Sequence, residues 1–134
     1  MERLVVDLYS FGYQKSGIPR DKTENKGGFV FDCRFLPNPG REPEYEHLTG
    51  RDAEVISYLE KYPQVEVFLS AVRQIVDLAI DNYLERGFTH LMVSFGCTGG
   101  QHRSVYCAEQ LKKYLEKRKI SVELHHTELE PVES

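Results

Sequence analysis

Cys97, Gly100, Arg103 and Ser104 stand in the order Cys-x-x-Gly-x-x-Arg-Ser. That spacing can gather a thiol, a tight turn and a guanidinium around one tetrahedral anion. The full run, Phe95 to Ser104, reads Phe-Gly-Cys-Thr-Gly-Gly-Gln-His-Arg-Ser and continues the apolar stretch that begins at Leu91. A strand, a glycine-bearing turn and a helix start are therefore expected in succession. Amides at the start of a helix have no intrahelical partner and lie at the positive end of its dipole, and glycines let the backbone close around an anion. Arg103 adds a planar fork that matches phosphate oxygens in pairs. The loop residues predicted to hold a phosphate are thus Cys97, Thr98, Gly99, Gly100, Gln101, His102, Arg103 and Ser104.

The same spacing is that of cysteine-dependent phosphatases, in which a thiolate attacks phosphorus while the arginine holds the equatorial oxygens. A thiol at a helix N-terminus beside an arginine is expected to be reactive. On that reading Cys97 is the nucleophile, Arg103 the clamp, Ser104 assists thiolate release and Asp32 is the candidate acid. Gly96 stands where such phosphatases usually carry histidine, and no catalytic residue is assured. The alternative, favoured here, has Cys97 as a small residue in a tight turn and a loop that binds without turning its ligand over. Perturbed groups mark a functional site without fixing its type.

These residues need a scaffold, and the periodicities supply one. Arg3 to Ser10 is β-branched and apolar and reads as a first strand, ended by Phe11-Gly12 and a lysine-rich loop through Gly28. Phe29 to Cys33 is a second, stopped where Pro37 and Pro39 forbid ladder pairing. Thr49-Gly50-Arg51-Asp52 resembles the cap of a helix running to about Tyr62. Pro63 opens a longer helix whose apolar stripe includes Val65, Leu69, Val72, Val76 and Ile80, and Gly87 closes it. Thr89 to Phe95 is a third strand, Ser104 to about Arg118 a third helix and Ile120 to Leu124 a last strand.

Strands separated by helices predict a three-layer α/β fold, with a mostly parallel four-stranded sheet and helices on both faces. Such sheets bind ligands outside the carboxyl ends of their strands. That rim gathers Ser10 and Gly12 after strand one and Asp32, Arg34 and Asn38 after strand two, beside the Cys97 loop. Arg34 either reaches a further group of the ligand or forms a surface ion pair worth about 0–1 kcal/mol. His102 either donates to the phosphate or caps the helix.

At 134 residues the chain fits one domain, and its net charge of −4 argues against wholesale attraction to nucleic acid. Cys33, Cys97 and Cys107 cannot all pair, and their spacings fit neither a zinc site nor a Cys-x-x-Cys motif. Reduced thiols in a cytoplasmic protein are expected. No signal-peptide pattern or membrane-length apolar window is present, so no membrane partner is expected. His125 and His126 point to alternate faces if they lie on a strand, so no metal and no cofactor are expected. The basic run Lys112 to Lys119 is most simply a solvated helix end.

Several segments resemble a known family: Tyr-Ser-Phe-Gly-Tyr (9 to 13) with Gly-Ile-Pro (17 to 19), Phe-Asp-Cys-Arg-Phe-Leu-Pro-Asn-Pro (31 to 39), Leu-Thr-Gly (48 to 50), and Gly-Cys-Thr-Gly-Gly-Gln-His-Arg-Ser-Val-Tyr (96 to 106) with Ala-Glu-Gln-Leu (108 to 111). In this order they are similar to the C-terminal domain of the RapZ family, bacterial RNase adapters and nucleotide-binding proteins linked to amino-sugar metabolism. The resemblance implies a phosphosugar-type ligand at Cys97 to Ser104, with Arg34 and Asn38 lining the pocket. It also implies a protein partner, with RNA and self-association as further possibilities. Full-length members carry an N-terminal P-loop NTPase domain, whereas no Gly-x-x-x-x-Gly-Lys-Ser/Thr occurs here, so nucleotide hydrolysis is not expected of this chain. RNA-binding members end in a basic tail. This chain ends Glu128 to Ser134 with three glutamates, which are expected to repel phosphates and weaken RNA affinity.

Overall fold

In the computed structural model residues 3–129 are described. The β-branched and apolar runs form four strands: β1 (Val5–Gly12), β2 (Gly28–Asp32), β3 (His90–Cys97) and β4 (Ser121–His126). They make one sheet in the order β2-β3-β1-β4, and every pairing in it is parallel. Three α-helices accompany it: α1 (Ala53–Glu60), α2 (Pro63–Arg86) and α3 (Arg103–Lys117). The expected α/β fold is present, and the sheet is parallel throughout.

The α2 stripe buries Val65, Leu69, Val72, Val76 and Ile80, at steps of three and four residues. Pro63 opens the helix where a missing N–H costs nothing, and Gly87 ends it at φ 76°. These side chains join Leu111 and Leu115 of α3 and Val6, Leu8, Leu91, Val93 and Phe95 of the sheet in the main core. Each fully buried aliphatic or aromatic side chain contributes about 1.5–3 kcal/mol. The opposite side of the sheet is met by the connection from β1 to β2. There Asn25 donates to the His90 carbonyl, and Ile18 and Pro19 share a hollow with Val30 and Met92. The chain thus leaves β1 toward one face and β3 toward the other, which opens a crevice between their carboxyl ends.

Register fixes what meets at that crevice. Gly12 lies beside Cys97, and Asp32 beside Gly96. β1 runs two residues past Ser10, and β3 runs two past Phe95, to the motif cysteine. The long connection after β2 contains two short 3-10 turns, Pro39–Arg41 and Pro43–Tyr45, each opened by a proline whose φ suits it. Asp52, not Thr49, is the residue before α1, and its carboxylate reaches back to accept from the Thr49 amide at 2.7 Å. At the basic end of α3, Arg118 bridges to Asp77 and Asp81 of α2. His125 stacks on Tyr9 with ring centroids 5.0 Å apart, while His126 points inward to Ser10 and Glu109.

Candidate anion-binding site

Between β3 and α3 the chain turns through Thr98 to His102, and the hydrogen bonds of this turn are one-sided. Three of its carbonyls, and that of Cys97 before it, are engaged: Cys97 accepts from the Tyr13 amide at 2.8 Å, Thr98 from Gln14 at 3.2 Å, Gln101 from Gly50 at 2.8 Å and His102 from Tyr106 at 3.0 Å. Its amides are not. Among the described residues, none of the backbone N–H groups of Thr98 to His102 meets a protein acceptor. Successive amides without protein acceptors are the ingredients of an anion nest. They border a cleft of about 200 Å³ lined by Cys97 to Arg103 together with Asn38 and Gly40. Gly40, in the turn after β2, was not foreseen; nothing in the sequence motif points to it.

Arg103 closes the floor. It is only 5% exposed, and one terminal nitrogen donates to the carbonyls of Arg34 and Leu36 at 2.7 and 3.1 Å. Its Nε is buried with no partner among the described residues. A buried donor on a permanent cation is costly to leave unsatisfied, and Arg103 also lines the adjoining cleft. The two carbonyl bonds also tie the segment after β2 to the start of α3.

Cys97 is buried, and its Sγ lies 3.2 Å from the Ser104 hydroxyl behind the loop. Asp32, the candidate acid, is engaged elsewhere. Hydrogen bonds from the Arg34 side chain, the nearest at 2.8 Å, hold its carboxyl below the usual carboxylate range despite some burial. An ionised carboxylate is a poor proton donor, so this pairing works against general acid catalysis by Asp32. Arg34 itself stacks over the Tyr13 ring at 3.9 Å and lines a neighbouring cleft with Asn38 and Arg103. Asn38 caps the first 3-10 turn through its Oδ1, 2.9 Å from the Gly40 amide. That leaves its NH2 group for the two clefts it borders. His102 Nε2 donates to the Tyr45 carbonyl at 3.0 Å, so this histidine anchors the loop from the far side while lining the cleft.

The two β1 candidates part company. Gly12 touches the loop directly: a Cβ there falls 2.7 Å from the Gly99 carbonyl carbon and 3.0 Å from the Gly100 nitrogen. Only a glycine admits that approach. Ser10 does not line the cleft. It is fully buried, and its hydroxyl is 2.6 Å from Nδ1 of His126, whose Nε2 is 2.8 Å from Glu109. Because β1 continues to Gly12, Ser10 is an interior strand position and belongs to the frame.

Glu128, the first residue of the acidic tail, is engaged by the protein through its carboxylate. It accepts from the amides of Gly12 and Ser16 and from the hydroxyls of Ser16 and Thr127, at 3.0 to 3.2 Å. Its Cγ lies 2.4 Å from where a Gly100 Cβ would sit, and Gly100 has φ 76°. Glu128 is therefore a strut behind the turn. The rest of the acidic tail, residues 130–134, lies outside the described residues.

No helix among the described residues is long and apolar enough to cross a membrane. The family model of the RapZ C-terminal domain matches residues 4–130. Relatives include a nucleotide-binding protein of Acidobacterium capsulatum, 41% identical over 94% of this chain and 39% of its own length, and one of a Thermotoga species, 44% identical over 95% and 43%. A nucleotide-binding protein of a Thermoanaerobacter species is 40% identical over 94% and 42%. The chain thus spans about two fifths of the length of the curated relatives it matches. With the motif loop, the segment after β2 and the parallel sheet all inside the matched span, the chain belongs to the RapZ C-terminal domain family.

Proposed function

We propose that this domain binds a phosphorylated small metabolite, of the amino-sugar phosphate or nucleotide-sugar type, and relays its occupancy to a partner protein. The observation that carries the reading is the turn from Thr98 to His102, its carbonyls at Thr98, Gln101 and His102 taken by the protein and its amides without protein acceptors among the described residues, beside a cleft that a buried, under-satisfied Arg103 helps to line. A phosphate in that cleft accepts from these amides, and charge-assisted hydrogen bonds of this kind contribute about 1.5–3 kcal/mol each. The relatives' name, nucleotide-binding protein, agrees with a phosphate-bearing ligand.

Thermal shift with inorganic phosphate, hexosamine phosphates and nucleotide sugars tests this, because a ligand that binds only the folded state raises the melting temperature. At least one of these anions raises it in the wild type, and Arg103→Ala loses the increment. No shift with any of them refutes the proposal. The Cys97–Ser104 contact favours a second reading, a cysteine-dependent phosphatase. Turnover of an aryl phosphate that vanishes in Cys97→Ser would establish it over simple binding.

A further inference from the structure

Three reduced thiols share the main core, each brought there by a different element: Cys33 follows β2, Cys97 ends β3 and Cys107 lies in the second turn of α3. The last paired residues of β2 and β3 are Asp32 and Gly96, and the Cys33 amide donates to the Gly96 carbonyl at 2.7 Å. Cys33 and Cys97 are therefore the next pair across this parallel ladder. Phe31 and Phe95, the pair two residues back on the same face, stack with ring centroids 5.5 Å apart. Neighbouring strands lie about 4.7–4.9 Å apart, inside the Cα separation of about 4.4–6.8 Å that a disulfide spans. The thiols differ in access. Cys97 is 2% exposed and lines the 200 Å³ cleft, whereas Cys33 and Cys107 are wholly buried. Burial, with the Cys107 thiol beside it, also holds the Cys33 thiol well above its ordinary range. A small oxidant entering the cleft thus meets Cys97 first, with Cys33 as the next sulfur across the sheet.

We infer that Cys97 and Cys33 are a peroxide-sensitive pair that closes to a disulfide on oxidation and reopens on reduction. Cys97 Sγ, as thiolate, attacks one oxygen of hydrogen peroxide; the O–O bond breaks, and hydroxide leaves and takes up the thiol proton as water. The product is a sulfenic acid. Cys33 Sγ then attacks that sulfur: the S–S bond forms, the S–O bond breaks, and the hydroxyl leaves with the Cys33 proton as a second water. Two thiols lose two electrons, and one peroxide is reduced to two waters. Holding the second thiol in the next strand makes this step intramolecular. The chemistry is independent of what fills the cup. The test treats the reduced native protein with a slight excess of hydrogen peroxide, blocks the remaining thiols with N-ethylmaleimide in denaturant and reads the intact mass. One thiol is labelled in place of three, proteolysis without reduction yields the Cys33 and Cys97 peptides linked, and dithiothreitol restores all three labels. Cys107→Ser keeps the bridge, whereas Cys97→Ser keeps Cys33 and Cys107 reduced, with melting temperatures as the folding control. The linked peptides of the wild type decide the matter even where a variant fails to fold. Three labels after a treatment that fully oxidises free cysteine, oxygen added to Cys97 with no bridge, or a bridge to Cys107 or between two chains overturns the inference.

Discussion

A single methyl group placed behind the loop, away from any ligand atom, probes whether the cup is rigid. In Gly12→Ala the new Cβ lies 2.7 Å from the Gly99 carbonyl carbon and 2.8 Å from its oxygen, against ordinary contact at 3.4–4 Å. The obstacle is backbone on both sides, so relief needs a displacement of about 0.7 Å by the turn or by the end of β1. Overpacking of this kind costs about 1–3 kcal/mol, which lowers the melting temperature of a domain this size by about 4–12 °C. Displaced amides present a changed geometry to an anion in the cleft they line. Losing one charge-assisted hydrogen bond weakens phosphate binding by about tenfold to a hundredfold. Gly99→Ala is the matched control for stability, since a Cβ there has no atom within 4 Å, and its stability stays within about 0.5 kcal/mol of wild type. Differential scanning fluorimetry and calorimetric titration of phosphate give both quantities. A Gly12→Ala protein that melts and binds like wild type refutes the argument that close backbone approach from β1 holds the turn in shape.

Glu128→Gln tests the strut through its pH dependence. Burial raises the Glu128 carboxyl, but hydrogen bonds from Gly12, Ser16 and Thr127 outweigh it and leave the group below its ordinary range. A lowered carboxyl adds stability above its unfolded value, about 4.3, and loses it as pH falls through the folded one. The melting-temperature gap between wild type and Glu128→Gln is therefore full at neutral pH and closes below about pH 4; a gap independent of pH contradicts the assignment. Ser10→Ala leaves Nδ1 of buried His126 without its partner. It costs about 1–3 kcal/mol with phosphate affinity unchanged, and a selective loss of affinity would return Ser10 to the site.

Much of this molecule is legible in the chain because local physics sets it. The three-and-four spacing of Val65 to Ile80 produces α2 wherever a sheet is available to cover it, and Pro63 and Gly87 mark its ends by their own φ preferences. The run from Cys97 to Ser104 announces an anion loop because strand, glycines and helix start are contiguous in sequence. Contacts across more than fifty residues are another matter. No local pattern says that Tyr45 takes the His102 ring, that Arg34 and Leu36 offer their carbonyls to Arg103, or that Glu128 reaches back to Gly12. Nor does the sequence show that β1 outlasts Ser10 and removes it from the rim, since a strand's end depends on the neighbours it pairs with. The residue types of the proposed anion cup were thus determined by sequence, while tertiary packing decided which groups brace the turn, because a support is defined by what lies across space from it.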